Sequence, residues 1–302
     1  MSDPAIALKT LKREKDFLVC IDSDGCAFDA MEIKHKECFA PVIIREWGLQ
    51  AISKYAREAA EFVNLYSEWR GANRFPALFK VFDLLEDRDE VKNRGFKLPD
   101  IAALRKWAET EPNLANPALE EAVKKTGDPV LTRALKWSKA VNATISDMVH
   151  GVPPFPYVRE SLEKITKFAD VIVVSATPGE ALVREWNEHG IAKYVKVIAG
   201  QEMGTKTAHI SYAKAAGGYA DDHIIKLGDA LGDLKAAKAN NALFNPINPG
   251  SEDASWKRFL EEGADKFFKG EFKGAYEDKL IEDFKKLLPS TPPWKNKGCC
   301  CG

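Results

Sequence analysis

Residues 16–29, DFLVCIDSDGCAFD, constrain the fold more than any other stretch of the chain. Phe17 to Ile21 is an apolar run closed by two acids and Gly25, the pattern of a strand buried on both faces inside a parallel sheet. Its neighbours do not follow at once. From residue 30 to about 150, leucines, alanines and aromatics recur at spacings of three and four, with almost no strand-like run. That spacing predicts helices near 30–46, 51–68, 76–92, 99–110, 117–125 and 129–149. Gly48, Gly71, Gly95 to Pro99, Pro112 and Gly127 to Pro129 separate them.

Gly151 to Pro156, GVPPFP, reads as a linker, and the pattern then alternates. Helices near 157–168, 179–190, 206–216 and 232–239 precede strands near 170–175, 195–199, 223–228 and 241–245. Such alternation implies a parallel sheet covered by helices on both faces. The expected fold is α/β: a Rossmann-like core from 1–29 and 151–302, with 30–150 inserted after the first strand as an all-helical cap domain. Within the core, 251–288 reads as appended helices and 289–302 as a flexible tail.

The composition, 45% hydrophobic and 29% charged over 302 residues, is that of an ordinary globular protein. A formal net charge of −1 gives no global field favouring nucleic acid or an anionic membrane. No apolar run is long enough to span a bilayer, and the opening MSDPAIALKT lacks the apolar core of a signal peptide. Cys20, Cys26 and Cys38 are scattered and Cys299, Cys300 and Cys301 are consecutive, which is no disulfide framework. A cytoplasmic setting is expected. The CCCG end could bind metal or carry a lipid, but it reads first as a tail beyond Pro292 and Pro293.

Four features fall at or beside the carboxyl ends of the expected strands, where open α/β sheets place their chemistry. They are Asp22-Ser23-Asp24-Gly25, Ser175 after VIVV, Lys206 in EMGTKTAHI, and Asp229 and Asp233 in GDALGD. Each alone is weak. DSDG could be a solvated turn, although Gly25 stands too early for a calcium-binding EF-hand loop. GDALGD could be a helix start. Together they suit phosphoryl transfer. Asp22 can attack phosphorus, and Asp24 can protonate the leaving oxygen and later deprotonate water. Asp22, Asp229 and the backbone carbonyl of Asp24 can hold Mg²⁺. Ser175 and Lys206 can hold phosphoryl oxygens, and Asp233 can orient Lys206 or a metal-bound water.

In order and placement these four segments resemble the haloacid dehalogenase-like hydrolases, over about residues 16–29 and 156–248. The resemblance implies a Mg²⁺-dependent phosphatase acting on a small phosphorylated metabolite through an aspartyl phosphate. The helical insertion resembles the first cap class of that family in placement and character only. Cys26 and Thr207 depart from common residues without removing a functional group. The acid at Asp24 goes with phosphatases and phosphomutases rather than dehalogenases. A phosphomutase and a non-catalytic binding protein on the same fold are the alternatives. Substrate identity and oligomeric state stay open, and no nucleic-acid or membrane partner is expected.

In the insertion, Trp69 to Phe75 gathers two guanidiniums, an amide and aromatics around Gly71. Arg70, Asn73 and Arg74 are therefore candidate substrate contacts. Glu32, His35 and Lys36 read as a polar helix face. Trp47, Trp69, Trp107 and Trp137 read as core of the insertion. The five histidines show no metal-ligand spacing.

Overall fold

The structure is a computed structural model that describes residues 3–296. Residues 3–31 and 151–289 form one compact unit, and 32–150 with 290–296 form a second.

The first unit is a five-stranded, all-parallel sheet in the order β3-β2-β1-β4-β5, built from β1 (Phe17–Ile21), β2 (Ala169–Val174), β3 (Val197–Ala199), β4 (Ile224–Gly228) and β5 (Leu243–Pro246). β1 is central, with Leu18 opposite both Asp170 of β2 and Ile224 of β4. The strand order runs one way from β1 to β3 and the other way from β4 to β5. The switch point therefore lies between the carboxyl ends of β1 and β4, which is where a crevice forms in such sheets.

The near-continuous apolar strands follow from burial on both faces. Val19, Ile21, Val173, Ile225 and Leu227 share one layer with Trp186, Trp256, Phe259 and Phe267. Leu18, Cys20, Ile172, Ile224 and Phe244 share the other with Ile210, Ala236 and Phe284. The expected helices are present as Val158–Ile165, Gly179–Glu188, Lys206–Gly217 and Leu231–Ala239. Beyond β5, the helices Glu252–Arg258 and Ala264–Phe268 are joined by a wider π-helical turn and pack on the first layer. Ala275–Lys286 packs on the second, where Phe284 meets Phe244 with ring centroids 5.8 Å apart. A short helix, Ile6–Lys9, is an element that the spacing of apolar residues did not announce, and it buries Leu8.

The second unit is helical throughout. Its longest helix, Pro129–Met148, starts where the Asp128 carboxylate accepts from the N–H groups of Val130 at 2.8 Å and Leu131 at 3.1 Å. Trp47, Trp137, Phe75 and Phe82 are buried together, as core residues should be, and Trp107 packs edge-on against Phe75 at 5.2 Å. Residues 290–296 belong with this unit rather than with the core. Trp294 meets Phe62 edge-on at 5.6 Å and lies 4.6 Å from the Arg88 guanidinium. The Cys299–Cys301 run lies outside the described residues. Cys20, Cys26 and Cys38 are free and buried. Among the described residues, no helix is long and apolar enough to cross a membrane.

Asp170 bolts the amino-terminal edge of the sheet. Its carboxylate accepts from Tyr219 Oη at 2.5 Å and from the N–H groups of Glu14 and Lys15 at 2.8 and 3.1 Å, and pairs with Lys196 Nζ at 2.9 Å. Burial pushes this carboxyl up, but the Tyr219 hydroxyl, the two backbone donors and Lys196 outweigh it and hold it below the usual range. A carboxyl depressed in the folded state stabilises above its unfolded pKa and loses that contribution as pH falls through the folded value. Asp170→Asn should therefore cost about 2 kcal/mol at pH 7, with the deficit shrinking below about pH 4. Urea titrations of both proteins across that range measure it, and a pH-independent deficit contradicts the assignment.

Candidate active site

Asp22 follows β1 directly, and its backbone N–H continues the ladder by donating to Leu227 O at 3.1 Å. The chain then tightens. The Ser23 carbonyl accepts from the N–H groups of Cys26, Ala27 and Phe28, while Gly25 N–H donates to Phe28 O at 2.9 Å. Ser23 Oγ accepts from Trp186 Nε1 at 3.0 Å and donates to Glu185 Oε2 at 3.3 Å. Trp256 Nε1 donates to Cys26 O at 2.7 Å. Two indoles from distant helices thus fix the loop that carries Asp22 and Asp24.

The other strand ends converge on it. Lys206, the first residue of its helix, reaches Asp22 Oδ2 at 2.5 Å and Asp233 Oδ1 at 2.9 Å. Carboxylate oxygens of Asp22, Asp229 and Asp233 lie within 4.8 Å of one another, and all three residues are buried. Ser175 N–H donates to Ala199 O at 3.0 Å, and Ser175 Oγ accepts from Thr177 N–H at 3.2 Å. Thr177 Oγ1 donates to Asp24 Oδ2 at 2.8 Å, which ties the second segment to the first.

Two close backbone approaches make this packing possible. A Cβ on Gly228 would meet Asp233 Cβ and Cγ at 2.4 Å, so only glycine lets Asp233 lie against the end of β4. A Cβ on Gly200 would meet the backbone of Gly179 at 2.5 Å, so glycine also seats the 175–179 turn against the 200–204 turn.

The carboxylate cluster fits a hard divalent cation. Asp233 Oδ2 is a buried acceptor with no hydrogen-bond partner, an oxygen that a cation would satisfy. Burial and the Asp233 charge push the Asp22 carboxyl up to about 7, against the pull of Lys206 and Lys226. Burial also opposes ionisation of Asp233, but Lys206 and Lys226 outweigh it and hold that carboxyl low. Burial would lower Lys206, yet Asp22 and Asp233 outweigh it and hold its ammonium well above its ordinary value. His209, one turn after Lys206, is held neutral: burial, then Lys226 and Lys206, bring it down to about 4.

Sequence reasoning set Asp233 behind the cation ligands and took the backbone carbonyl of Asp24 as one of them. The geometry groups the Asp233 carboxylate with those of Asp22 and Asp229, and the Asp24 carboxylate accepts from Thr177. Thr177, Lys226, Glu185 and Trp186 were not singled out. For Lys226 a signal was present, a charge inside the otherwise apolar strand IIKLG. The three insertion candidates are engaged inside the helical unit. Arg70 is buried and donates to Leu65 O at 3.0 Å. Asn73 caps the helix Arg74–Glu86 through Phe75 N–H and donates to Leu114 O. Arg74 Nη1 donates to Ser138 Oγ at 2.8 Å and Asn142 Oδ1 at 2.7 Å. These bonds tie the three side chains into the helical unit.

An Asp22 carboxyl near 7 is partly protonated at neutral pH, and a bound divalent cation favours its ionised form. Mg²⁺ binding should therefore release protons between about pH 6 and 7 and release few at pH 9. Titration calorimetry in buffers of different ionisation heat measures this, and a heat independent of buffer at pH 6.5 contradicts it.

No protein-family model matches the chain. No curated protein matches it either. Solved structures do. One from Bacteroides fragilis, provisionally named a haloacid dehalogenase-like hydrolase, aligns over 80% of this chain and 93% of its own at 13% identity, with a TM-score of 0.50. A haloacid dehalogenase-like family hydrolase from Streptococcus pneumoniae aligns over 82% and 91% at 13% identity, with a TM-score of 0.43. One from Xanthomonas campestris, of the same description, aligns over 85% and 97% at 12% identity, with a TM-score of 0.41. At 13% identity the first of these likenesses speaks for architecture alone. By the first of these alignments, the parallel core with its helical insertion has the fold of a haloacid dehalogenase-like hydrolase.

Proposed function

We propose that the chain is a Mg²⁺-dependent phosphatase of a small phosphorylated metabolite that works through an aspartyl phosphate. The observation that carries this reading is the meeting of Asp22, Lys206 and Asp233 within hydrogen-bond distance, from three segments far apart in sequence. In the proposed first step an Asp22 carboxylate oxygen attacks phosphorus while the bond to the substrate's bridging oxygen breaks. Asp24 gives its proton to that departing oxygen, oriented by the Thr177 hydroxyl. Water then attacks the aspartyl phosphate, Asp24 takes the proton, and the P–O bond to Asp22 breaks to release inorganic phosphate. Ser175 and Lys206 bear on the phosphoryl oxygens. Asp22, Asp229 and Asp233 would hold Mg²⁺, which screens the anionic nucleophile from the anionic substrate.

The name of the Bacteroides fragilis structure agrees with a hydrolase. The acid at Asp24 favours phosphate esters over carbon–halogen bonds. A phosphomutase would pass the same aspartyl phosphate to a sugar, and product analysis with and without a bisphosphate activator separates the two.

Asp22→Asn should lower phosphate release from an aryl phosphate by at least about 10³-fold while keeping the wild-type circular dichroism. EDTA should abolish wild-type release and Mg²⁺ restore it. Retained turnover in the variant would falsify the nucleophile assignment. Asp24→Asn should cost about 10²- to 10⁴-fold with alkyl phosphates. In the first step alone, read as the single-turnover burst of alcohol release, the loss should be much smaller with aryl phosphates, whose leaving groups need no proton; the loss of the base in the second step is common to both classes. Equal losses of the burst on both substrate classes contradict the acid role.

A further inference from the structure

Among the described residues, Arg74 is a cation without a counter-ion. It opens the helix Arg74–Glu86, and its side chain reaches the helix Pro129–Met148. A single nitrogen, Nη1, makes the hydrogen bonds there: to Ser138 O at 3.0 Å, Ser138 Oγ at 2.8 Å and Asn142 Oδ1 at 2.7 Å. Ser138 is fully buried, and the guanidinium carbon lies 5.5 Å from the centre of the Phe39 ring. All of these partners are neutral. Among the described residues, Nε and Nη2 of Arg74 meet no acceptor. Buried charges in folded proteins are ordinarily paired. Burial is deep enough here to bring the guanidinium down to about 10, with no neighbouring acid to offset it. A neutral donor such as glutamine would join the two helices at a lower desolvation cost.

The unused edge has a definite chemistry. Nε and Nη2 form the side of a guanidinium that gives two parallel hydrogen bonds to a carboxylate or a phosphate. Anchoring through Nη1 holds that side in one orientation. A second feature adds positive potential nearby. Ser138 Oγ donates to Asn116 Oδ1 at 2.6 Å, and Asn116 is the first residue of the helix Asn116–Thr126. That helix starts with no capping side chain, so its first N–H groups are left without a side-chain acceptor. Arg74 is partly buried rather than sealed, which leaves an approach from solvent.

We infer that Arg74, set by Ser138 and Asn142 beside the start of the helix Asn116–Thr126, is a binding site for the carboxylate or phosphate group of a small molecule, taken side-on by Nε and Nη2. The site lies within the helical unit and stands independently of the phosphatase reading. Such a group has two sources: a second acidic group on the substrate, or a separate small anion.

Nuclear magnetic resonance of the arginine Nε–H groups, with EDTA present, reads the site directly. The Arg74 signal, identified by its loss in Arg74→Lys, should shift saturably as malonate is added to the wild type. Titration calorimetry should find malonate bound about tenfold more weakly by Arg74→Met. Arg74→Lys keeps the charge but not the two-pronged edge, and it should fall between the two. A signal that does not move, or a malonate affinity unchanged in both variants, overturns the inference. Should neither variant fold, a crystal structure of the wild type grown with malonate decides. A malonate carboxylate on Nε and Nη2 is expected, and malonate bound elsewhere with that edge in water overturns the inference. Kinetics separates the two sources. If the group belongs to the substrate, malonate competes with a phosphate ester that carries a carboxylate, and Arg74→Lys raises the KM of that ester but not of a simple aryl phosphate. If it belongs to a separate anion, malonate binds without competing. The binding measurements need no turnover, so they decide this inference even where the phosphatase reading fails.

Discussion

Asp233 Oδ1, held between the ammonium groups of Lys206 and Lys226, is the contact on which the arrangement of the site depends. Three carboxylates cannot be buried side by side without compensation, because each loses its hydration and repels the others. Here the compensation comes from two directions. Lys226 rises from within the sheet, and Lys206 comes in from the first turn of its helix. The bare Cα of Gly228 leaves the space in which Asp233 reaches both. The opposing effects then fall unequally on the carboxyls, pushing Asp22 up and holding Asp233 low. Such a split is what one expects where neighbouring acids have different tasks.

The sheet supplies this convergence cheaply. Because β1 and β4 are adjacent and parallel, their carboxyl ends fall side by side, and the acids that follow them meet without a long loop. The turn after β1 is held by hydrogen bonds to Trp186 and Trp256, which arrive from opposite ends of the later sequence. Asp24 is drawn toward β2 by Thr177 instead of joining the carboxylate cluster. One apolar layer on each face of the sheet holds these strand ends in place.

Much of this was legible in the sequence, because the signals were local. The run FLVCI, the alternation after residue 156 and the four strand-end motifs each reflect the period of one element, and the strands fall within a few residues of expectation. What escaped was pairing. Arg74 stood out for its charge, and its partners Ser138 and Asn142 sit on a helix whose register against it no spacing reveals. Asp233 reads as a support for Lys206, and it does hold that ammonium at 2.9 Å; its place beside the Asp22 and Asp229 carboxylates, which the Gly228 approach allows, had no signal in the spacing. Trp294 lay in what read as a loose tail, while its partners Arg88 and Phe62 lie about 200 residues earlier.

The central position of β1 has a consequence for how the chain acquires its structure. Phe17 pairs with Ala169, and Leu18 pairs with Ile224. A nascent chain must therefore keep one of its most water-averse segments unpaired while roughly 150 to 200 further residues are made. At ribosomal speeds that interval lasts on the order of ten seconds or more, during which FLVCI is an exposed β-forming segment. The intervening helices pair with near neighbours and can assemble meanwhile. Delayed closure around the first strand should make newborn chains depend on chaperones, even though the finished sheet is buried on both sides.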